Sequence, residues 1–184
     1  MKSKRLRELS AGLIRDLELD SSATTEDVCF RLCQLMGERF GRDIRLRFDD
    51  LGHGGLSGFW AVTEDDVHVV IVTTARSWVH RLLILLHEIA HMLCGHTPHR
   101  LDAEVGSRLL FPDLSSKMLT IMAGRTDMSR REEREADQVA GVLARSLFEW
   151  ARQRNVGAFL PEGDDLATRT WYALGFSPQR HDID

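Results

Sequence analysis

The sequence predicts an α+β fold in which helices pack around a small antiparallel sheet of about three strands. Apolar residues recur at helical spacing up to residue 40, alternate with polar residues from residue 44, and return to helical spacing after residue 77. An acidic turn also joins two short apolar runs, as in a β-hairpin. The length of 184 residues, without a Pro/Gly/Ser-rich linker, predicts a single domain over residues 1–184.

Two amphipathic helices are predicted before the first strand. Leucine and isoleucine recur at helical spacing between residues 6 and 17, which indicates the first helix. The pair Thr24-Thr25 can cap the second helix, and Gly41 can end it.

The period of the pattern then changes to that of a strand. Ile44, Leu46 and Phe48 alternate with two arginines, which predicts a half-buried strand. A glycine-rich loop, "LGHGGLSG", leads to apolar runs at 59–63 and 67–74, and the turn between these runs predicts a hairpin.

The second half of the chain is predicted to be helical. Ser77 is a suitable N-cap for a helix over Trp78–Cys94, which Gly95 closes. Ser129 and Glu132 form a capping-box pattern that opens a long helix to about residue 152. Shorter helices are predicted at 102–110, 114–123 and 164–174.

Composition and charge narrow the function classes. Hydrophobic residues make up 43% of the chain and charged residues 28%, as in ordinary globular domains. The formal net charge of −4 argues against direct nucleic-acid binding. No secretory signal or membrane-spanning run is visible, so the sequence predicts a cytoplasmic protein without a membrane partner.

The cysteines do not form a disulfide or metal pattern. Their number is 3, which fits reduced thiols. Cys29 and Cys33 can share one helix face, and core packing is favoured for them because two thiols alone bind a metal poorly.

The segment His87-Glu88-Ile89-Ala90-His91 has the H-E-x-x-H arrangement and lies on a predicted helix. Residues four apart differ by about 40° around the helix and about 6 Å along it, so both imidazoles can reach one ion. Glu88 can act on a neighbouring water without being a ligand. The alternative, two core histidines with backbone partners, is weaker because Glu88 would then be costly to bury.

A catalytic zinc site needs a third protein ligand, and the downstream run "REEREADQVAGVL" offers four acids. Glu135 lies about 100° from the centre of the apolar stripe and is expected to face solvent, whereas Glu132 and Glu133 lie within about 60°. Glu132 belongs to the capping box, so Glu133 is the predicted ligand. Asp137, one turn later, is placed to orient a ligating histidine from outside. For Glu132 and Glu135, simple stabilisation of the helix N-terminus remains the favoured interpretation.

Together, "LHEIAHMLCGH" and the later "EREADQVAGVLA" resemble the ImmA/IrrE family of bacterial metallopeptidases. The resemblance implies a zincin-like active-site helix, with His87, His91 and Glu133 as zinc ligands and Glu88 as the catalytic acid/base. It runs roughly over residues 25–150, which leaves a C-terminal helical extension at about 151–184.

The resemblance implies hydrolysis of peptide bonds in a regulatory protein, such as a helix-turn-helix repressor encoded elsewhere. A second interpretation stays open, a zinc-containing sensing or interaction module that binds a transcriptional regulator without cleaving it. Its motivation is that the Met-Pro pair often closing the family motif is missing, as is any substrate-binding signature.

A further donor usually stabilises the oxyanion in such reactions. Spacing places none of the candidates, and surface or packing roles are favoured for all of them: His53, His96, His99 and Tyr172. The remaining histidines in the chain's middle part, His68 and His80, carry no functional signal.

Overall fold

A computed structural model describes residues 3–20, 22–51, 57–74, 76–100 and 129–154. These residues form an α+β arrangement of helices around a small sheet, as predicted. The predicted helices at 102–110, 114–123 and 164–174 and nearly all of the predicted C-terminal extension lie outside the described residues. In chain order the elements are α1 (Ser3–Asp16), α2 (Thr25–Phe40), β1 (Ile44–Asp49), β2 (Gly58–Val62), β3 (His68–Thr73), α3 (Trp78–Cys94), β4 (His99–Arg100) and α4 (Arg130–Gln153).

Local signals fix the helix ends, as the sequence predicted. Thr24 and Ser129 open α2 and α4 through capping boxes, in which each hydroxyl accepts from a backbone N–H three residues on and the acid there accepts from the cap's own N–H. Gly41 and Gly95 end α2 and α3 with φ of 63° and 74°. Glycine suits these positions because left-handed backbone is strained for residues with a Cβ.

The sheet is mixed, with the strand order β1-β3-β2-β4. β2 and β3 form the predicted antiparallel hairpin, but β1 pairs with β3 in parallel, from Ile44 opposite His68 to Asp49 opposite Thr73. The prediction of a wholly antiparallel sheet is therefore wrong. β3 is buried along its whole length and takes an interior position, whereas β1, with its alternating arginines, suits an edge.

The helix α3 occupies the centre of the described fold, where it packs against β2, β3, α2 and α4. Four of its side chains are almost wholly buried, and replacing any of them by alanine is expected to cost about 2–5 kcal/mol: Leu82, Leu85, Leu86 and Ile89. This packing fixes the orientation of the His87–His91 face. None of the helices in the described part of the chain is both long and apolar enough to cross a membrane.

His68 is a buried histidine that lies between two hydrogen-bond donors. Trp60 Nε1 donates to His68 Nδ1 at 3.0 Å, and Arg42 Nη1 lies 2.8 Å from His68 Nε2. Protonation would place an N–H on both ring nitrogens, each facing a donor. Burial, followed by the positive charge of Arg42, lowers the pKa of His68, and the nearby Asp66 opposes this only partly.

We therefore expect His68 to make stability depend on pH. Its pKa is lower in the folded than in the unfolded chain, so its contribution is complete above the ordinary value of 6.5 and is lost as pH falls below it. Urea unfolding at pH 7.5, 6.5 and 5.5 measures the free energy of unfolding. As pH falls, this free energy should decrease more steeply for the wild type than for His68→Gln, because the two proteins share all other titrating groups. Equal slopes would contradict this assignment.

Candidate metal centre

Two imidazoles of α3 meet on one side of the helix. His87 and His91 stand one turn apart, and their Nε2 atoms lie 3.0 Å from each other. The His91 side chain is only 2% exposed, whereas His87 is 27% exposed and opens the pair to solvent. The apolar packing of α3 holds both rings at this position.

Glu133 reaches the same point from the first turn of α4. Its Oε2 lies 3.4 Å from His87 Nε2, and its Oε1 lies 3.6 Å from His91 Nε2. The rotation of α4 follows from its apolar stripe, which is buried against the rest of the fold at Ala136, Val139, Leu143 and Leu147.

These three residues suit a single cation. The structure brings one ligand atom each from His87, His91 and Glu133 within 4.8 Å of one another. A tetrahedral ion with bonds of roughly 2.0–2.2 Å places its ligand atoms about 3.4 Å apart, close to the closest spacings of 3.0, 3.4 and 3.6 Å found here. Two imidazoles and one carboxylate would leave a fourth position for a reactant.

Glu88 lies beside this cluster but faces the sheet. It is 8% exposed and accepts a hydrogen bond from the backbone N–H of Trp60 on β2. Burial, and then the negative charge of Glu133, raises the pKa of Glu88 to about 8. A carboxyl group held in this way can carry a proton near neutral pH.

Gly58 permits the close approach of β2 to α3 that this contact needs. A Cβ added at Gly58 would lie 2.5 Å from Ile84 Cγ2 and 3.0 Å from the Ile71 carbonyl oxygen. A side chain at this position would therefore force either the strand or the Ile84 side chain to shift.

Asp137 contacts the outer nitrogen of His87. Its Oδ1 lies 3.0 Å from His87 Nδ1, so His87 can donate to it and turn Nε2 toward the cluster. Since Asp137 is one turn after Glu133 on α4, one helix supplies both contacts to His87.

His96 is a partner of His91 that sequence reasoning missed. Its Nδ1 lies 2.9 Å from His91 Nδ1, and its Nε2 lies 3.8 Å from Glu135 Oε2. Glu135 is 36% exposed and also contacts His96, a contact that its position on the predicted helix did not indicate. The apolar stripe of α4 does not indicate this contact, because it depends on the turn at Gly95, which brings His96 back over the end of α3 to meet Glu135. A histidine directly after a C-capping glycine was the available signal.

The remaining candidates are a helix-cap residue, a strand residue and two residues outside the described part of the chain. Glu132 accepts from the Ser129 N–H at 2.9 Å and serves the helix cap, and these Ser129 hydrogen bonds lower its pKa. His99 opens β4, where it pairs with Ala61. His53 and Tyr172 are not among the described residues.

Asp137→Asn should weaken metal binding by about 10–100-fold, because it removes the charge that orients His87 without removing a ligand. The affinity is measured by competition with a chromophoric chelator at fixed pH. Glu149→Gln is the matched control, since it removes one acid from the exposed far part of α4. If the two variants bind metal equally well, Asp137 does not support His87.

Neither a scan against protein-family models nor a search of the curated proteins gives a match to this chain.

Proposed function

We propose that the protein is a zinc-dependent metallopeptidase. The observation that carries this proposal is the convergence of His87, His91 and Glu133 on one point, with Glu88 beside them. Two imidazoles and a carboxylate are a ligand set typical of catalytic zinc, and the H-E-x-x-H pattern on a helix is typical of zinc peptidases.

Each residue then has a distinct task. Bound zinc would supply a Lewis acid that polarises the scissile carbonyl and favours ionisation of water. In its ionised form, Glu88 accepts a proton from the attacking water and later donates it to the leaving amine. The Trp60 N–H holds the Glu88 carboxyl group in one orientation through this exchange. Asp137 and His96 keep His87 and His91 facing the ion.

The proposed substrate is a regulatory protein of the cytoplasm, such as a helix-turn-helix repressor. The support is the resemblance of the two motifs to the ImmA/IrrE family. The buried free thiols Cys29 and Cys33 also fit a reducing compartment.

The proposal is tested by comparing newly formed protein N-termini in host lysates that receive zinc-loaded wild type or Glu88→Gln. We expect a few new N-termini, including one in a DNA-binding regulator, with the wild type alone. Identical sets of N-termini would contradict proteolysis. Capture of an intact regulator by both proteins, without cleavage, would instead support the zinc-containing interaction module.

A further inference from the structure

A cleft of about 340 Å³ leads away from the metal-binding cluster between α3 and α4. His87, Glu88 and Glu133 line it beside the cluster, and His80 lies further along. His80 and His87 are seven positions apart, which is roughly 10 Å along a helix. The volume is at the small end of the roughly 300–1,000 Å³ usual for ligand pockets, which suits one side chain and its flanking peptide.

Away from the metal-binding cluster, apolar residues line the cleft, and those on α4 are small. Leu83 and Ile84 line it from α3, and Ala140, Gly141 and Ala144 line it from α4. Such walls favour an apolar group because burying a charged side chain among them would cost its solvation.

Gly141 is not required by the fold. It lies inside the helix α4, where glycine is destabilising relative to alanine, and a Cβ added to it would meet no atom within 4 Å. Gly37 differs, since a Cβ there would lie 2.8 Å from the Arg42 carbonyl oxygen. The missing side chain at Gly141 therefore keeps space open in the cleft.

The polar groups of the cleft also limit its occupant. Burial, and then the charge of Arg76, lowers the pKa of His80, so its ring is neutral at pH 7. The His80 Nδ1 is buried and has no hydrogen-bond partner among the residues that the structure describes. Near the cluster, Glu133 and Asp137 place negative charge that disfavours an acidic side chain.

We propose that this cleft binds an uncharged apolar side chain of leucine to phenylalanine size next to the scissile bond, and that Gly141 sets the size it accepts. The placement beside a scissile bond rests on the proposed peptidase function, whereas the binding of the side chain in the cleft does not. Gly141 is thus a specificity-determining residue, and Ala140 and Ala144 extend the same surface.

The test measures binding rather than cleavage. N-acetyl methylamides of alanine, leucine and phenylalanine are titrated into the full chain as purified, and the methyl NMR signals of Leu83, Ile84, Ala140 and Ala144 are followed. The leucine and phenylalanine compounds should bind at least about tenfold more tightly than the alanine compound, because of the additional apolar surface that they bury. They should shift these four signals first.

Gly141→Leu should abolish this preference by filling the cleft. Gly12→Leu is the matched control, since a Cβ at Gly12 of α1 would meet only the ends of two arginine side chains, at 3.6 and 3.8 Å. If Gly141→Leu fails to fold, Gly141→Ala should raise the melting temperature and reduce the preference for phenylalanine over alanine. An unchanged preference in a folded Gly141 variant, or none in the wild type, would overturn the proposal. Because the test measures binding and not hydrolysis, it gives the same information about the cleft even if the protein is not a peptidase.

Discussion

Replacing Glu88 by glutamine will leave bound zinc in place and reduce peptide hydrolysis by at least about 10²–10⁴-fold. Glutamine has nearly the same shape and retains an oxygen that can accept from the Trp60 N–H, so β2 and α3 should stay packed as they are. It has no site that accepts and returns a proton during the reaction.

The rate is measured on a peptide spanning a cleavage site found with the wild type, and zinc content is measured on the same samples. Glu149→Gln, at an exposed position of α4, should hydrolyse the peptide at the wild-type rate. Glu88→Gln that keeps both zinc and a rate within tenfold of the wild type would show that Glu88 is not the proton carrier.

The second large effect is expected from Glu133→Gln. This change preserves the size of the side chain but removes the charge that faces His87 and His91. Zinc affinity should therefore fall by far more than the 10–100-fold that is typical when a residue that only supports a ligand is replaced. Peptide hydrolysis should stop when the zinc is lost. Chelator competition at one pH measures the affinity.

Neighbouring acids on α4 provide the comparison. Glu135→Gln should lower the zinc affinity by at most about fivefold. Its 3.8 Å contact to His96 is partly exposed, and exposed ion pairs contribute about 1 kcal/mol or less. Glu132→Gln should have little effect, since glutamine also serves at that position of a capping box. Loss of zinc from Glu135→Gln but not from Glu133→Gln would mean that the ligand is misassigned.

The elements that the sequence predicted well depend on local chemistry. Thr24, Ser129, Gly41 and Gly95 mark helix ends because their side chains or backbone freedom satisfy groups within a few residues. The hairpin of β2 and β3 is equally local, because a short turn joins strands that pair with each other.

The position of β1 could not be predicted in the same way. The predicted strands alone leave open whether β1 pairs with β2 or with β3, and the choice depends on how the assembled sheet is covered. The nearly continuous apolar run at 67–74 favours an interior strand, and the structure places β3 inside the sheet with β1 beside it.

In the candidate site, too, the sequence predicted what depends on a single helix and not what depends on packing between elements. His87 and His91 come from spacing on one helix, and Glu133 from the apolar phase of another. The contact of His96 with His91 depends on the turn at Gly95, and its contact with Glu135 depends on packing between separate elements. Single-helix geometry therefore could not predict those contacts.

The central claim is that His87, His91 and Glu133 hold one zinc ion. X-ray absorption at the zinc edge, on the full chain loaded with one equivalent of Zn²⁺, tests it most directly. We predict nitrogen and oxygen ligands at about 2.0–2.2 Å, imidazole scattering from two histidines, and no sulfur. A sulfur ligand at about 2.3 Å would move the ion to a cysteine, and failure to bind one equivalent would also contradict the claim.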